Sequence, residues 1–322
     1  MSKDPKVQPR YTGIPTFMRT PYAPTLEDID IALIGVPFDG GVTNRAGARH
    51  GPREMRNQSS LMRTINQATG VAPFDLVRVG DAGDAVPDTP FELLAAHKSI
   101  EEFYEGIKAA GVMPISAGGD HSITLPILRA LAKDGPVAMV HFDAHCDTGD
   151  FYLGSKFHHG SPFKVAAEEG LIDPKKTIQI GIRGGVTDRD IWKFSYESGM
   201  RVIHIEEFYE MGLNAVIDEI KKVVGDSPVY VTFDVDGLDP VYAPGTGTPE
   251  IGGFTTFEAQ QMIRSLADLN IIGGDVVEVA PPFDPSGVTA LTGATMMFEL
   301  LCVSAVSLKR QRGDSISTEN GG

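Results

Sequence analysis

Short apolar runs without regular polar alternation recur along this chain, each followed by a stretch of helical periodicity. Residues 30–37 (DIALIGVP), 137–140 (VAMV) and 229–235 (VYVTFDV) are such runs. A strand that is apolar on both faces has to be covered on both faces, which is the situation of a parallel sheet. Further strands are expected at 76–79, 112–116, 177–182, 201–205 and 275–279. Helices are expected at 53–64, 90–110, 123–133, 161–170, 188–197, 213–224, 255–269 and 289–308. The order of elements predicts an α/β fold with a central, mostly parallel sheet between helical layers. No composition shift or repeat divides the chain, so one domain is expected at 29–308. A Pro-rich polar arm (1–28) precedes it, and a polar tail expected to be disordered (309–322) follows. In such sheets ligands bind beyond the carboxyl ends of the strands.

Chemistry-bearing residues collect at those ends. The run 137–140 leads into HFDAHCDT, residues 141–148. Side chains alternate along a strand, so Asp143, His145 and Asp147 project to one side, and Ala144 and Cys146 to the other. Carboxylates and an imidazole at the end of a buried strand are costly unless paired, and a divalent cation pairs all three at once. The pattern returns in VYVTFDVDGLDP, where Asp234 and Asp236 sit two apart after an apolar run, and AGGDHS adds His121. The candidate ligands are therefore His121, Asp143, His145, Asp147, Asp234 and Asp236. A set dominated by carboxylates, without a thiolate, suits a pair of Mn²⁺-like ions better than a structural zinc. Paired ions about 3.5–4 Å apart are a recurrent hydrolytic device.

Several neighbours read differently. His141 shares the face of Asp143 but lies one pleat deeper, about 6.6 Å back, and is expected to be a core histidine. Cys146 is expected to be a small buried side chain, Asp120 a cap and Asp239 a turn residue. His50, His97 and His204 have no acidic company and read as structural. The loop GGVTNRAGARHGP (40–52) lacks the spacing and lysine of a phosphate-binding loop and reads as an active-site loop.

The formal charge of −15 argues against nucleic acid or an anionic membrane as a partner, and it suits metal ions and a cationic substrate. Two cysteines in unrelated contexts imply no disulfide framework. No apolar run reaches the ~18 residues of a membrane span, and the N-terminus lacks the apolar core of a signal peptide. A cytoplasmic protein is expected.

The segments AGGDHS, FDAHCDT, HHGSPF, FDVDGLDPVYAPGTGTPEIGG and DVVEVAPPFD resemble the ureohydrolase family of arginases, agmatinases and guanidino-acid hydrolases. The likeness runs from about residue 31 to 303. It implies an arginase-like three-layer α/β/α fold, two divalent cations (Mn²⁺, with Ni²⁺ as the other candidate) and a homo-oligomer, trimeric or hexameric. It implies that Asp143 and Asp234 bridge the ions, with His121 and Asp147 completing one site and His145 and Asp236 the other. It also adds two residues. Glu278 is similar to the acid that holds the substrate guanidinium, and His159 to the histidine that shuttles protons. His158 is the competing assignment, and His159 is favoured because it directly precedes Gly160.

The reaction implied is cleavage of a small guanidino substrate to urea and an amine, with Asp147 relaying a proton. Asp147 is followed by Thr148, Gly149 and Asp150, where arginase-type chains carry an asparagine, which turns the reading away from arginine. The segment 44–63 most resembles agmatinases and guanidino-acid hydrolases. Arg45 or Arg49 is a candidate for a substrate carboxylate, and Asp150 for an ammonium. A biguanide such as metformin is an alternative substrate, and a catalytically silent partner subunit in a ureohydrolase hetero-oligomer is the alternative of another class.

Overall fold

The computed structural model describes residues 6–313, so most of the expected tail lies outside the described residues. The strands are β1 (Ile31–Gly35), β2 (Val79–Asp84), β3 (Met113–Ala117), β4 (Val137–Phe142), β5 (Ile172–Ile182), β6 (Arg201–His204), β7 (Pro228–Asp234) and β8 (Asn270–Val277). They form one parallel sheet in the order β2-β1-β3-β8-β7-β4-β5-β6. The helices are α1 (Gly51–Ser59), α2 (Pro73–Leu76), α3 (Leu93–Ala109), α4 (Thr124–Leu131) and α5 (Pro162–Glu168). They continue with α6 (Lys193–Ser198), α7 (Ile205–Met211), α8 (Leu213–Val224), α9 (Thr256–Arg264) and α10 (Val288–Gln311).

Strand alternation divides the core into two layers. Ile31, Leu33, Val140 and Val231 pack with Met55 of α1, Ile220 of α8, Met262 of α9 and Leu300 of α10. Ala32, Ile34 and Met139 pack on the other face with Tyr104 of α3, Leu128 of α4 and Phe163 of α5. Both faces of the sheet are covered, as the apolar runs require, and the α/β fold is the expected one.

Some elements differ from expectation. Of the strand expected at 76–79, Leu76 ends helix α2 and Val79 opens the strand itself, β2, VGDAGD. That composition reads as a turn, yet it forms the sheet edge because the chain before β1 closes over it. Ala23 N–H donates to Asp81 O, Asp81 N–H to Pro21 O, and Phe17 N–H to the Asp81 carboxylate. A Cβ on Gly80 would stand 2.8 Å from Ala23 Cβ, so glycine there permits the contact. Residues 17–20 of the expected arm are accordingly buried. Strand β5 starts at Ile172 rather than 177, and α7 was not anticipated because its first residue, Ile205, reads as the end of β6.

Helix α10 is long and apolar enough to cross a membrane by length and composition alone, although no unbroken apolar run in the sequence is that long. It packs against β8 and is 72% buried over that stretch. Its Glu299 takes hydrogen bonds from Arg264 and Asn66, which marks the helix as part of the core.

The four central strands, β3, β8, β7 and β4, are contiguous in the sheet. Their carboxyl ends carry His121, Glu278, the Asp234–Asp236 pair and the 143–147 cluster respectively. The fold thus gathers four separate stretches of sequence at one edge.

Candidate metal centre

The segment after β3 is threaded under the β1 loop. A Cβ on Gly119 would lie 1.6 Å from the Phe38 carbonyl oxygen, so only glycine lets the two backbones approach this closely. Asp120 then caps a single helical turn, accepting from Ser122 N–H at 2.9 Å and from Gly41 N–H at 2.7 Å. His121 begins that turn and is fully buried.

Around His121 Nδ1 stand three carboxylate oxygens: Asp147 Oδ2 at 3.0 Å, Asp143 Oδ2 at 3.1 Å and Asp234 Oδ2 at 3.2 Å. On the other side of Asp143, its Oδ1 lies 3.4 Å from His145 Nδ1, which is 3.1 Å from Asp236 Oδ2. Asp143 therefore presents one oxygen to each imidazole. Backbone donors fix the carboxylates: His145 N–H to Asp143 Oδ1 at 2.5 Å, Asp236 N–H to Asp234 Oδ1 at 2.8 Å, and Ala144 N–H to Asp236 Oδ1 at 3.1 Å. Asp147 adopts φ +51°, a left-handed conformation uncommon for a residue with a side chain, and one that concentrates at functional sites.

The electrostatics describe a site short of positive charge. Burial, reinforced by Asp236 and Asp143, pushes the Asp234 carboxyl well above the usual range. Burial and Asp143 raise Asp236 to about 6. Burial would raise Asp143, but the neighbouring His141, with His121 and His145 beside it, outweighs burial and holds it low. Burial likewise opposes His121 and His145, but the surrounding carboxylates outweigh it and raise both. Four buried carboxylates sharing His121, His145 and the deeper His141 is the condition a pair of divalent cations relieves. His121 Nδ1 also has no hydrogen-bond partner despite its burial. The donor set present, carboxylate oxygens and imidazole nitrogens, therefore fits divalent ions.

Beside this cluster stand Glu278 and His159. Glu278 follows the last residue of β8 rather than lying inside the strand, and takes φ +62°. Its Oε1 accepts from His121 N–H at 3.0 Å and pairs with His159 Nδ1 at 2.8 Å. Its Oε2 is buried without a partner. His159 Nε2 lies 2.8 Å from Thr43 Oγ1. Glu278 raises His159 to about 9 against the opposing effect of burial. His158 is the more exposed of the pair and bonds the Asp150 carbonyl.

A cavity of about 690 Å³ opens from the cluster, lined by His145, Asp147, His159, Tyr152, Trp192 and Lys193 among others. That size is typical of small-molecule sites. Neither Arg45 nor Arg49 lines it. Arg45 donates to Thr246 O and Gly247 O and stacks on Phe283, and Arg49 pairs with Asp39. Asp150 does line the rim, where its carboxylate is exposed and bridged to Lys164.

His141 falls within the same cluster, yet both ring nitrogens are engaged. Nε2 pairs with Asp143 Oδ2 at 2.7 Å and Nδ1 with the Gln179 amide at 3.1 Å. Cys146 packs with Ile182 and Val202, and burial pushes its thiol well above the ordinary value. Asp239 orders its turn through Val241 N–H and Gly252 N–H. His97 bonds Ser122 and His204 bonds Tyr196.

Sequence reading missed the supports. Arg183 donates to the carbonyls of Gly181, Asp236, Gly237, Leu238 and Glu250, tying the end of β5 to the Asp236 turn. Thr232 and Asp275, inside apolar strands, reach the site from beneath. A polar residue within a buried run was the available signal.

Residues 29–302 match the model of the arginase family. The chain is 59% identical over 303 residues to guanidinopropionase of Pseudomonas aeruginosa, covering 94% of this chain and 95% of that protein. It is 48% identical to mitochondrial agmatinase of Gallus gallus, covering 91% and 86%. Among solved structures, proclavaminate amidinohydrolase of Streptomyces clavuligerus superposes with TM-score 0.90 at 41% identity, covering 93% of this chain and all of that one.

Proposed function

Because the chain belongs to the arginase family, we propose that it is a binuclear-metal hydrolase that cleaves a small guanidino compound to urea and an amine. Relatives of this similarity are amidinohydrolases, and so is this chain: it acts on a C–N bond other than a peptide bond. The substrate we assign is a guanidino acid, with agmatine as the rival. Support comes from the likeness to guanidinopropionase and from Lys193, which lines the cavity without a carboxylate partner among the described residues.

The observation that carries the reading is the ring of carboxylate oxygens 3.0–3.2 Å around a buried, unpartnered His121 Nδ1. His121, Asp147, His145 and Asp236, with Asp143 and Asp234 between them, would hold the two cations, for which we propose Mn²⁺. Such a pair supplies, when bound, an activated water at neutral pH for attack on the guanidinium carbon.

The protein's own residues do the rest. Glu278 offers Oε2 to the guanidinium, whose planar N–H groups suit a carboxylate. A guanidinium on that oxygen would lie beside His159, which pairs with the other oxygen of the same carboxylate. Asp147 receives a proton from the attacking water and relays it towards the leaving nitrogen. The second proton of the water, released as its oxygen becomes the urea carbonyl, reaches the freed amine through His159, which exchanges protons with solvent through the cavity. The bond between the guanidinium carbon and the nitrogen that carries the alkyl chain breaks, that nitrogen leaves as a protonated amine, and the carbon departs as urea. Buried free cysteines are consistent with a cytoplasmic setting, and we propose a homo-oligomer of one chain type.

The test is urea release from guanidinopropionate, guanidinobutyrate, agmatine, arginine and metformin after loading with Mn²⁺ or Ni²⁺. Preference for a guanidino acid supports the reading, and preference for metformin replaces the substrate. No urea from any of them moves the protein to the silent-subunit alternative.

A further inference from the structure

Asp275 is a fully buried carboxylate inside β8 whose partners are hydroxyl groups. Its Oδ2 accepts from Thr124 Oγ1 and Tyr230 Oη, each at 2.8 Å, and its Oδ1 accepts from Thr232 Oγ1 at 2.6 Å. Thr232 Oγ1 is at the same time 2.8 Å from His121 Nε2. The chain His121–Thr232–Asp275 crosses from the metal cluster to the floor of the sheet.

We propose that Thr232 and Asp275 form a positioning relay that holds His121 in the tautomer whose Nδ1 lone pair faces Asp143, Asp147 and Asp234, and so tunes the affinity of one of the two cation positions. The inference rests on the two-ion reading above and adds residues to it that do not touch the ions.

Proton accounting carries the argument. A carboxylate only accepts, so the single proton of the Thr232 hydroxyl is committed to Asp275 Oδ1. The same oxygen can then only accept from His121, which places the imidazole proton on Nε2. Nδ1 is then the nitrogen that faces Asp143, Asp147 and Asp234, the position a cation would take. Thr124 and Tyr230 hold Asp275 from α4 and β7, so the carboxylate cannot swing away. Without the Thr232 oxygen, Nε2–H becomes a buried donor without an acceptor. The ring is then no longer held in one orientation, and a proton at Nδ1 facing Asp147 competes with a cation for that position. Partners of this type behind a metal-bound histidine typically contribute 10–100-fold in metal affinity.

The experiment is equilibrium titration of metal-free protein with Mn²⁺ alone, reading free Mn²⁺ by electron paramagnetic resonance, with thermal melting of the metal-free proteins in parallel. Wild type is expected to take up two ions. T232V and D275N are expected to weaken one class of site about 10–100-fold and leave the other unchanged. T232S, which keeps the hydroxyl, is expected to retain both. Two wild-type affinities in T232V overturn the relay, as does a T232S loss equal to that of T232V. A lower melting temperature with unaltered affinities assigns both residues a purely structural role and also overturns it. Wild-type protein that takes up no Mn²⁺ contradicts the two-ion reading itself, a different failure from that of the relay.

Discussion

Glu278 and His159 meet at 2.8 Å, Oε1 to Nδ1, although 119 residues separate them in sequence. The contact joins the acid that leaves one oxygen free to the histidine at the cavity wall. In the proposed mechanism it would couple substrate capture to proton exchange through one hydrogen bond.

Replacing His159 with asparagine should leave metal content unchanged and lower kcat by about 10²–10⁴-fold, the range for losing a positioned acid–base group. The measurement is a pH–rate profile with metal analysis of the same sample. Full turnover at every pH removes the shuttle assignment.

Replacing Glu278 with glutamine removes the charge that raises His159 to about 9. With only Asp120 and Asp147 left to oppose burial, the His159 imidazolium should lose its proton at a lower pH than in wild type. Histidine NMR titration of the metal-free variant reads this directly. The same substitution should cost about 2–5 kcal/mol of guanidinium binding, so kcat/KM falls at least about 30-fold. An unshifted His159 titration contradicts the pairing.

Much of the site was legible because of its cost. Asp143, Asp147, Asp234 and Asp236 end apolar runs, where a solitary carboxylate is expensive and two such places in one chain are hard to explain without a cation. Glu278 is a single acid just past a strand end and was found only by family likeness. Its left-handed backbone, like that of Asp147, is a property of the folded chain. Thr232 and Asp275 carry no signal of their role in the sequence, because their partners lie on other strands and helices. The β2 strand was misplaced for a related reason: its Gly and Asp residues form a sheet edge only once residues 17–23 and Arg56 close on it. Helix α8, with its strong periodicity and flanking glycines, was located to the residue.

Arg183 should prove a structural keystone of the second half of the site. Its guanidinium is the donor for five backbone carbonyls, and alanine leaves them without it. R183A is expected to cost about 2–4 kcal/mol of stability by urea denaturation, with R183K recovering only part. A loss under about 0.5 kcal/mol, the scale of an ordinary surface change, contradicts the clamp.

Asp30 supplies a pH test away from the site. Bonds from the Arg78 side chain and backbone, with help from Arg312, hold its carboxyl well below the usual range against the effect of burial. A depressed folded-state value stabilises above the unfolded value near 3.9 and loses that contribution as the pH falls through it. D30N should therefore be about 1–3 kcal/mol less stable than wild type at pH 7, and the gap should narrow towards pH 3. Urea denaturation at the two pH values checks it, and a constant gap contradicts the assignment.

The central claim is that carboxylates and imidazoles from separate strand ends hold two cations, with Asp143 offering one oxygen towards each imidazole. Elemental analysis of Mn²⁺-loaded, desalted wild type and D143N tests it most directly. The account predicts about two ions per chain in wild type and loss of both in D143N. Wild type with no bound metal, or D143N retaining both ions, would contradict it.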